Sequence, residues 1–143
     1  MLKVLLALIC AIFLVGCYTD EKTSVESAPA FTLPEIPAEP VYRKISASEA
    51  REMMETTAGF ILLDVRTDEE FEEIRLNGAV LIPDYEILER AEAELPDKNA
   101  LILIYCRRGR RSEIAARELA EMGYTNVYDF GGINDWPYET VSG

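Results

Sequence analysis

The stretch ALILIYC, Ala100 to Cys106, is the feature that most limits the folds open to this chain. Its apolar run is unbroken until the cysteine, and a short continuous run of this kind suits a strand covered on both faces of a parallel sheet. Phe60 to Val65 and Ala79 to Ile82 read the same way, the second stopped by Pro83. Three buried strands of this type need layers above and below them.

The segments between the strands carry helix signals. Ser46 with Glu49, and Thr67 with Glu70, have the spacing of capping boxes, in which a hydroxyl and a carboxylate satisfy the free N–H groups of a first turn. The first box opens a helix through Ala50 to about Glu55. The second leads a short helix with Phe71 and Ile74 on one face. Ile87, Leu88, Ala91 and Leu95 recur at helical spacing up to the turn Pro96 to Asn99. A further apolar stripe runs through Ile114, Ala115, Leu119 and Met122, with Glu113–Arg117 and Arg117–Glu121 as i,i+4 pairs on its wet side and Gly123 closing it. Asn126 to Phe130 is the last strand, just before Gly131-Gly132. Strand and helix alternate, which predicts an α/β domain over residues 42–143 with a mainly parallel central sheet flanked by helices.

The N-terminus reads as an address. Met1-Leu2-Lys3 precedes an apolar run from Val4 to Val15, short of the roughly 20 residues that span a bilayer but suited to the core of a signal peptide. It closes on Leu14-Val15-Gly16-Cys17, which resembles the lipobox of bacterial lipoproteins. The resemblance implies a signal peptide over residues 1–16, cleavage before Cys17 and a diacylglycerol on its thiol. Prolines at 29, 34, 37 and 40 make residues 17–41 an extended tether. The expected product is an extracytoplasmic lipoprotein of a bacterial cell membrane. Cys10 would leave with the leader and Cys17 would carry lipid, so Cys106 becomes the one free thiol and neither a structural disulfide nor a CxxC dithiol is available.

Charge and composition narrow the chemistry. The chain holds 26 acidic against 14 basic residues and no histidine. The acidic excess argues against nucleic acid as a partner. The missing imidazole removes Ser-His-Asp, Cys-His and HExxH schemes and every histidine-ligated metal; neither metal nor cofactor is called for, and a monomer is expected.

Against that background, Arg107, Arg108, Arg110 and Arg111 crowd behind Cys106 around Gly109. Cys106 lies just past a strand's carboxyl end, where α/β sheets place their ligands, and a helix starts a few residues later. The dipole of that helix, the loop amides and the guanidiniums all favour a negative sulfur, so a thiolate is expected at neutral pH. Gly109 lets the backbone turn tightly around a small anion, and the arginines can grip an oxyanion.

Cys106-Arg107-Arg108-Gly109-Arg110-Arg111-Ser112 resembles the C-R-x-G-x-R-[ST] loop of the rhodanese (sulfurtransferase) family. The likeness runs through about 100 residues: Leu62 to Arg66, Glu70-Phe71, Gly78-Ala79, Ile82-Pro83, Gly123-Tyr124, Asn126 to Tyr128, Gly131 to Ile133 and Trp136. Family members often carry Gly-His-Ile before the Gly-Ala; this chain departs there with Ile74-Arg75-Leu76-Asn77. The resemblance implies a rhodanese-like fold and sulfane-sulfur transfer from a small anion such as thiosulfate, through a Cys106 persulfide, to cyanide, a small thiol or a protein thiol. It makes Arg107, Arg108, Gly109, Arg110 and Arg111 the substrate-binding set, with Arg107 and Arg110 on the anion and Arg111 bracing the loop. Asp64, Arg66 and Ser112 are expected to support it. Two rivals share the cysteine: a persulfide carrier or redox sensor that does not turn over, and a phosphatase or arsenate reductase of the same fold. Those phosphatases place five residues between the cysteine and the closing arginine, whereas four lie between Cys106 and Arg111.

Overall fold

The computed structural model describes residues 41–143; the expected leader, Cys17 and the tether to residue 40 lie outside the described residues. The domain runs β1 (Arg43–Lys44), α1 (Ala47–Thr56), β2 (Ile61–Asp64), α2 (Asp68–Glu73), β3 (Val80–Leu81), a 3-10 turn (Asp84–Glu86), α3 (Ile87–Glu94), β4 (Ile102–Cys106), α4 (Arg110–Glu121), β5 (Val127–Gly132) and a second 3-10 turn (Ile133–Asp135). The strands form one sheet in the order β1-β5-β4-β2-β3, and every neighbouring pair is parallel. The fold is the expected α/β arrangement.

Period-two alternation sorts the strand residues into two layers. Leu63, Ile102, Ile104 and Cys106 pack with Ile87, Ala91, Ala115, Ala116 and Leu119 of α3 and α4. Leu62, Leu103 and Tyr105 face the other way, towards Ala50 of α1, Phe130 and Trp136. Both faces of β4 are therefore covered, which is why its sequence carries no polar interruption. Both capping boxes form: Ser46 pairs reciprocally with Glu49, and Thr67 with Glu70.

Several details differ from the helical patterns. Ile74 does not share a helix face with Phe71. At φ −158° and ψ 137° it has already turned extended, and it is 40% exposed. The next residue, Arg75, pairs antiparallel with Val141, which draws the chain out of the helix. Leu88 and Ile114 point outward, while Ser112 and Ala116 join the buried side of α4. Glu113 turns to Lys44 at 2.7 Å, leaving Arg117 4.0 Å away, and Arg117–Glu121 is not among the ion pairs of the described residues. β1 had no sequence signal, because two exposed charged residues carry no apolar pattern; their backbone pairs with Tyr128 and Asp129, and Arg43 also donates to the Tyr128 hydroxyl at 3.1 Å.

Candidate active site

Cys106 is the last residue of β4 and shares a face with Ile102 and Ile104, so its side chain points towards α4. Only 1% of it is exposed. Arg107, Arg108 and Gly109 carry the chain from strand to helix. Gly109 adopts φ +89° as the residue capping α4, a left-handed conformation open to glycine at little cost. That turn aims the Gly109 N–H at Cys106 Sγ, 3.1 Å away. The sulfur thus meets both a backbone donor and the positive end of a 12-residue helix.

The four loop arginines divide into two groups. Arg107, Arg108 and Arg110 are exposed, and among the described residues none of them has an acidic partner. Arg111 is half-buried, and its Nη2 donates to both carboxylate oxygens of Glu70 at 2.9 and 2.8 Å. Glu70 also accepts the Thr67 N–H as its capping partner. Burial alone would raise the Glu70 carboxyl, but Arg111 and Thr67 outweigh it and hold the group below the ordinary carboxylate range. One carboxylate therefore closes the start of α2 and ties it to the start of α4. Over the sulfur lies an open cavity of about 290 Å³ lined by Cys106, Arg107, Arg108, Arg110 and Arg111.

Asp64 and Arg66 stand behind the loop as a buried ion pair, 0% and 2% exposed. Arg66 Nε and Nη2 reach Asp64 at 2.6 to 3.0 Å, and Nη2 also donates to the Ile74 carbonyl at 2.6 Å. The segment that departs from the family pattern is held here: the Leu76 N–H donates to the Tyr105 hydroxyl at 3.1 Å, and Arg66 lies over the Tyr105 ring. Ser112 Oγ sits 3.1 Å from the Gly109 carbonyl and 3.2 Å from the Gly131 carbonyl. Among the described residues no group of three or more His, Cys, Asp or Glu side chains gathers as a metal site.

Two supports escaped the sequence reading. A Cβ on Gly132 would stand 2.6 Å from Arg108 Cα and closer still to the Arg107 carbonyl oxygen, so the loop rests directly on this glycine. The Asn134 N–H donates to that same Arg107 carbonyl at 3.3 Å. The doubled glycine after a strand was the available signal for close backbone approach; Asn134 offered none.

Residues 46–138 match the family model described as a rhodanese-like domain. The chain is 41% identical over 81 residues to the thiosulfate sulfurtransferase PspE of Escherichia coli, covering 57% of this chain and 78% of that protein. It is 36% identical over 115 residues to YrkF of Bacillus subtilis, a protein named for sulfur carriage, covering 80% of this chain and 56% of that one. A solved structure described as rhodanese with anions from E. coli superposes with a TM-score of 0.55 at 40% identity, over 58% of this chain and 98% of that one.

Proposed function

The chain belongs to the rhodanese-like domain family, and from that membership we propose that it is a sulfurtransferase working through a persulfide on Cys106. The observation that carries this reading is the sulfur itself: a buried thiol with the Gly109 N–H at 3.1 Å, beneath a cavity lined only by itself and arginines. The transferred sulfur bonds to Sγ and lies beyond it, in the arginine-lined cavity. The Cys106 thiolate attacks the outer sulfur of thiosulfate; the S–S bond of the donor breaks, and sulfite leaves with its electron pair. The persulfide carries its negative charge on the outer sulfur, which faces the helix start and the guanidiniums lining the cavity, while the Gly109 N–H stays on Sγ. An acceptor anion, cyanide or a thiolate, then attacks the terminal sulfur and Cys106 departs as thiolate. This is covalent catalysis in two half-reactions.

The guanidiniums of Arg107, Arg108 and Arg110 are free to meet the donor's oxygens, and their positive charge favours an anion at both steps. Apart from Cys106 itself, the cavity lining holds no carboxylate or imidazole to take a proton, so the acceptor arrives already ionised. Arg111, engaged with Glu70, fixes the loop. A similar solved structure from E. coli is described as a rhodanese with anions, which supports an anionic ligand for a domain of this kind. The purified protein given thiosulfate and cyanide should release sulfite over many turnovers, and its mass should rise by one sulfur at Cys106 with thiosulfate alone. Cys106→Ser should lose both. Turnover surviving in that variant would remove Cys106 from the mechanism. Sulfur uptake without turnover towards any acceptor would favour the carrier reading that YrkF's name suggests, and hydrolysis of an aryl phosphate would favour a phosphatase.

For the N-terminus the proposal is a lipid anchor on Cys17 that holds the domain on the outer face of a membrane, supported by Leu14-Val15-Gly16-Cys17 after the apolar run. Cys17→Ala, expressed in a bacterium fed labelled fatty acid, should accumulate as an unprocessed, unlabelled precursor. Normal labelling of that variant would rule the anchor out.

A further inference from the structure

β5 carries one residue more than the strand beside it, and the excess sits behind the catalytic loop. Ile104 faces Asp129 but Cys106 faces Gly132, so two steps along β4 are matched by three along β5. Such an insertion is a β-bulge, which bends a strand and re-aims the residues beyond it. It brings Gly131, at φ +92°, and then Gly132 up against the loop.

One side chain clamps the bulge. Asp129 Oδ1 accepts the Gly131 N–H at 3.0 Å. The carboxylate is 2% exposed, and no ion pair of the described residues includes it. Burial holds its carboxyl above the ordinary range, against the Ser112 hydroxyl, the Gly131 N–H and the nearby Lys44, which pull it down. Lys44 from β1, Glu113 from α4, and Arg108 and Arg110 from the loop share with it a neighbouring cavity of about 370 Å³. Burying an ionisable carboxyl opposes folding, and apolar packing of the domain gives no reason for one here.

From Asp129 a continuous set of contacts leads to the sulfur. Asp129 holds the Gly131 N–H. The Gly131 carbonyl and the Gly109 carbonyl both lie within reach of the Ser112 hydroxyl, whose single proton serves one at a time. The Gly109 N–H, at the same turn, donates to Cys106 Sγ. We propose that Asp129 is a positioning residue for sulfur transfer: by clamping the β5 bulge against the loop it sets the Gly109 N–H on the sulfur of Cys106. The inference rests on the sulfurtransferase reading for its consequence in catalysis, though not for its geometry.

The test uses the full chain with Asp129→Asn and Asp129→Ala. Asparagine keeps an oxygen to accept the Gly131 N–H; alanine keeps none. Two measurements are made: the rate of Cys106 alkylation by iodoacetamide at neutral pH, followed by mass at the Cys106 peptide, and kcat and KM for thiosulfate with cyanide as acceptor. Asp129→Ala should slow both alkylation and kcat about tenfold, with KM changed less than about twofold, the scale of one charge-assisted hydrogen bond lost from the sulfur. Asp129→Asn should stay within about threefold of the parent in both. Alkylation in Asp129→Ala as fast as in the parent, or faster as in a merely loosened loop, would overturn the inference. So would an Asp129→Asn variant as slow as Asp129→Ala, or a loss confined to KM. The alkylation arm needs no sulfur transfer, so it decides the clamp even if the parent proves inactive with thiosulfate.

Discussion

One added methyl group tests how the loop is held. Gly132 has φ −126°, a conformation that any residue adopts, so alanine is excluded by space alone. Its Cβ would meet the Arg107–Arg108 backbone, which cannot swing aside as a flexible side chain can. Overpacking of this kind costs about 1–3 kcal/mol. Gly132→Ala should lower the thermal midpoint and reduce kcat for sulfur transfer, because the displaced segment is the one that carries Cys106 into α4. A variant with parental kcat and midpoint would show that the loop yields freely. At this scale the sequence was informative where chemistry is local: Cys106, its arginines and Gly109 are adjacent in the chain. Arg111 is the arginine whose neighbourhood could not be read there, since its partner Glu70 lies 41 positions away.

The short helix α2 shows how an element can serve two purposes. Thr67 and Glu70 begin it, and the same Glu70 anchors Arg111 at the start of α4. Because the folded state holds the Glu70 carboxyl below its ordinary value near 4.5, the folded protein binds that proton less readily than the unfolded chain. The associated stability is fully present above the ordinary value and is lost as pH falls through the lowered one. Glu70→Gln, which cannot ionise, should be less stable than the parent at neutral pH. The gap should narrow as the pH drops below about 4.5 and into the acid range, as read from urea midpoints. Equal pH slopes for the two proteins would mean that the Arg111 contact contributes nothing. The capping pattern announced the helix; it said nothing of the second duty, which exists only once α4 is packed alongside.

The whole chain carries a net charge of −12, yet the described domain exposes a patch of arginines at the mouth of the site. A dianionic donor must cross the repulsive field of the former to reach the attraction of the latter, whose short range suits it to the last few ångströms. Added salt screens both, but the free guanidiniums lie closest to the bound donor and should dominate. KM for thiosulfate should rise several-fold from low to high ionic strength, with kcat nearly constant; a KM that falls or stays flat would mean that these arginines do not hold the donor. The sequence by itself determined the alternation of buried strands and capped helices, the parallel sheet they imply, and a cysteine at a strand's end followed by a cationic turn. Each depends on residues within a few positions of one another, whose periodicity and capping chemistry survive as local pattern. Only the tertiary structure decided that Arg43–Lys44 completes the sheet, that β5 bulges behind the loop, that Gly132 supports it and that Asp129 fastens the bulge. The first three are made by backbone groups meeting across segments distant in the chain, and a backbone N–H or carbonyl carries no residue identity by which its partner could be foreseen; Asp129 finds the Gly131 N–H two residues on because the bulge turns it there.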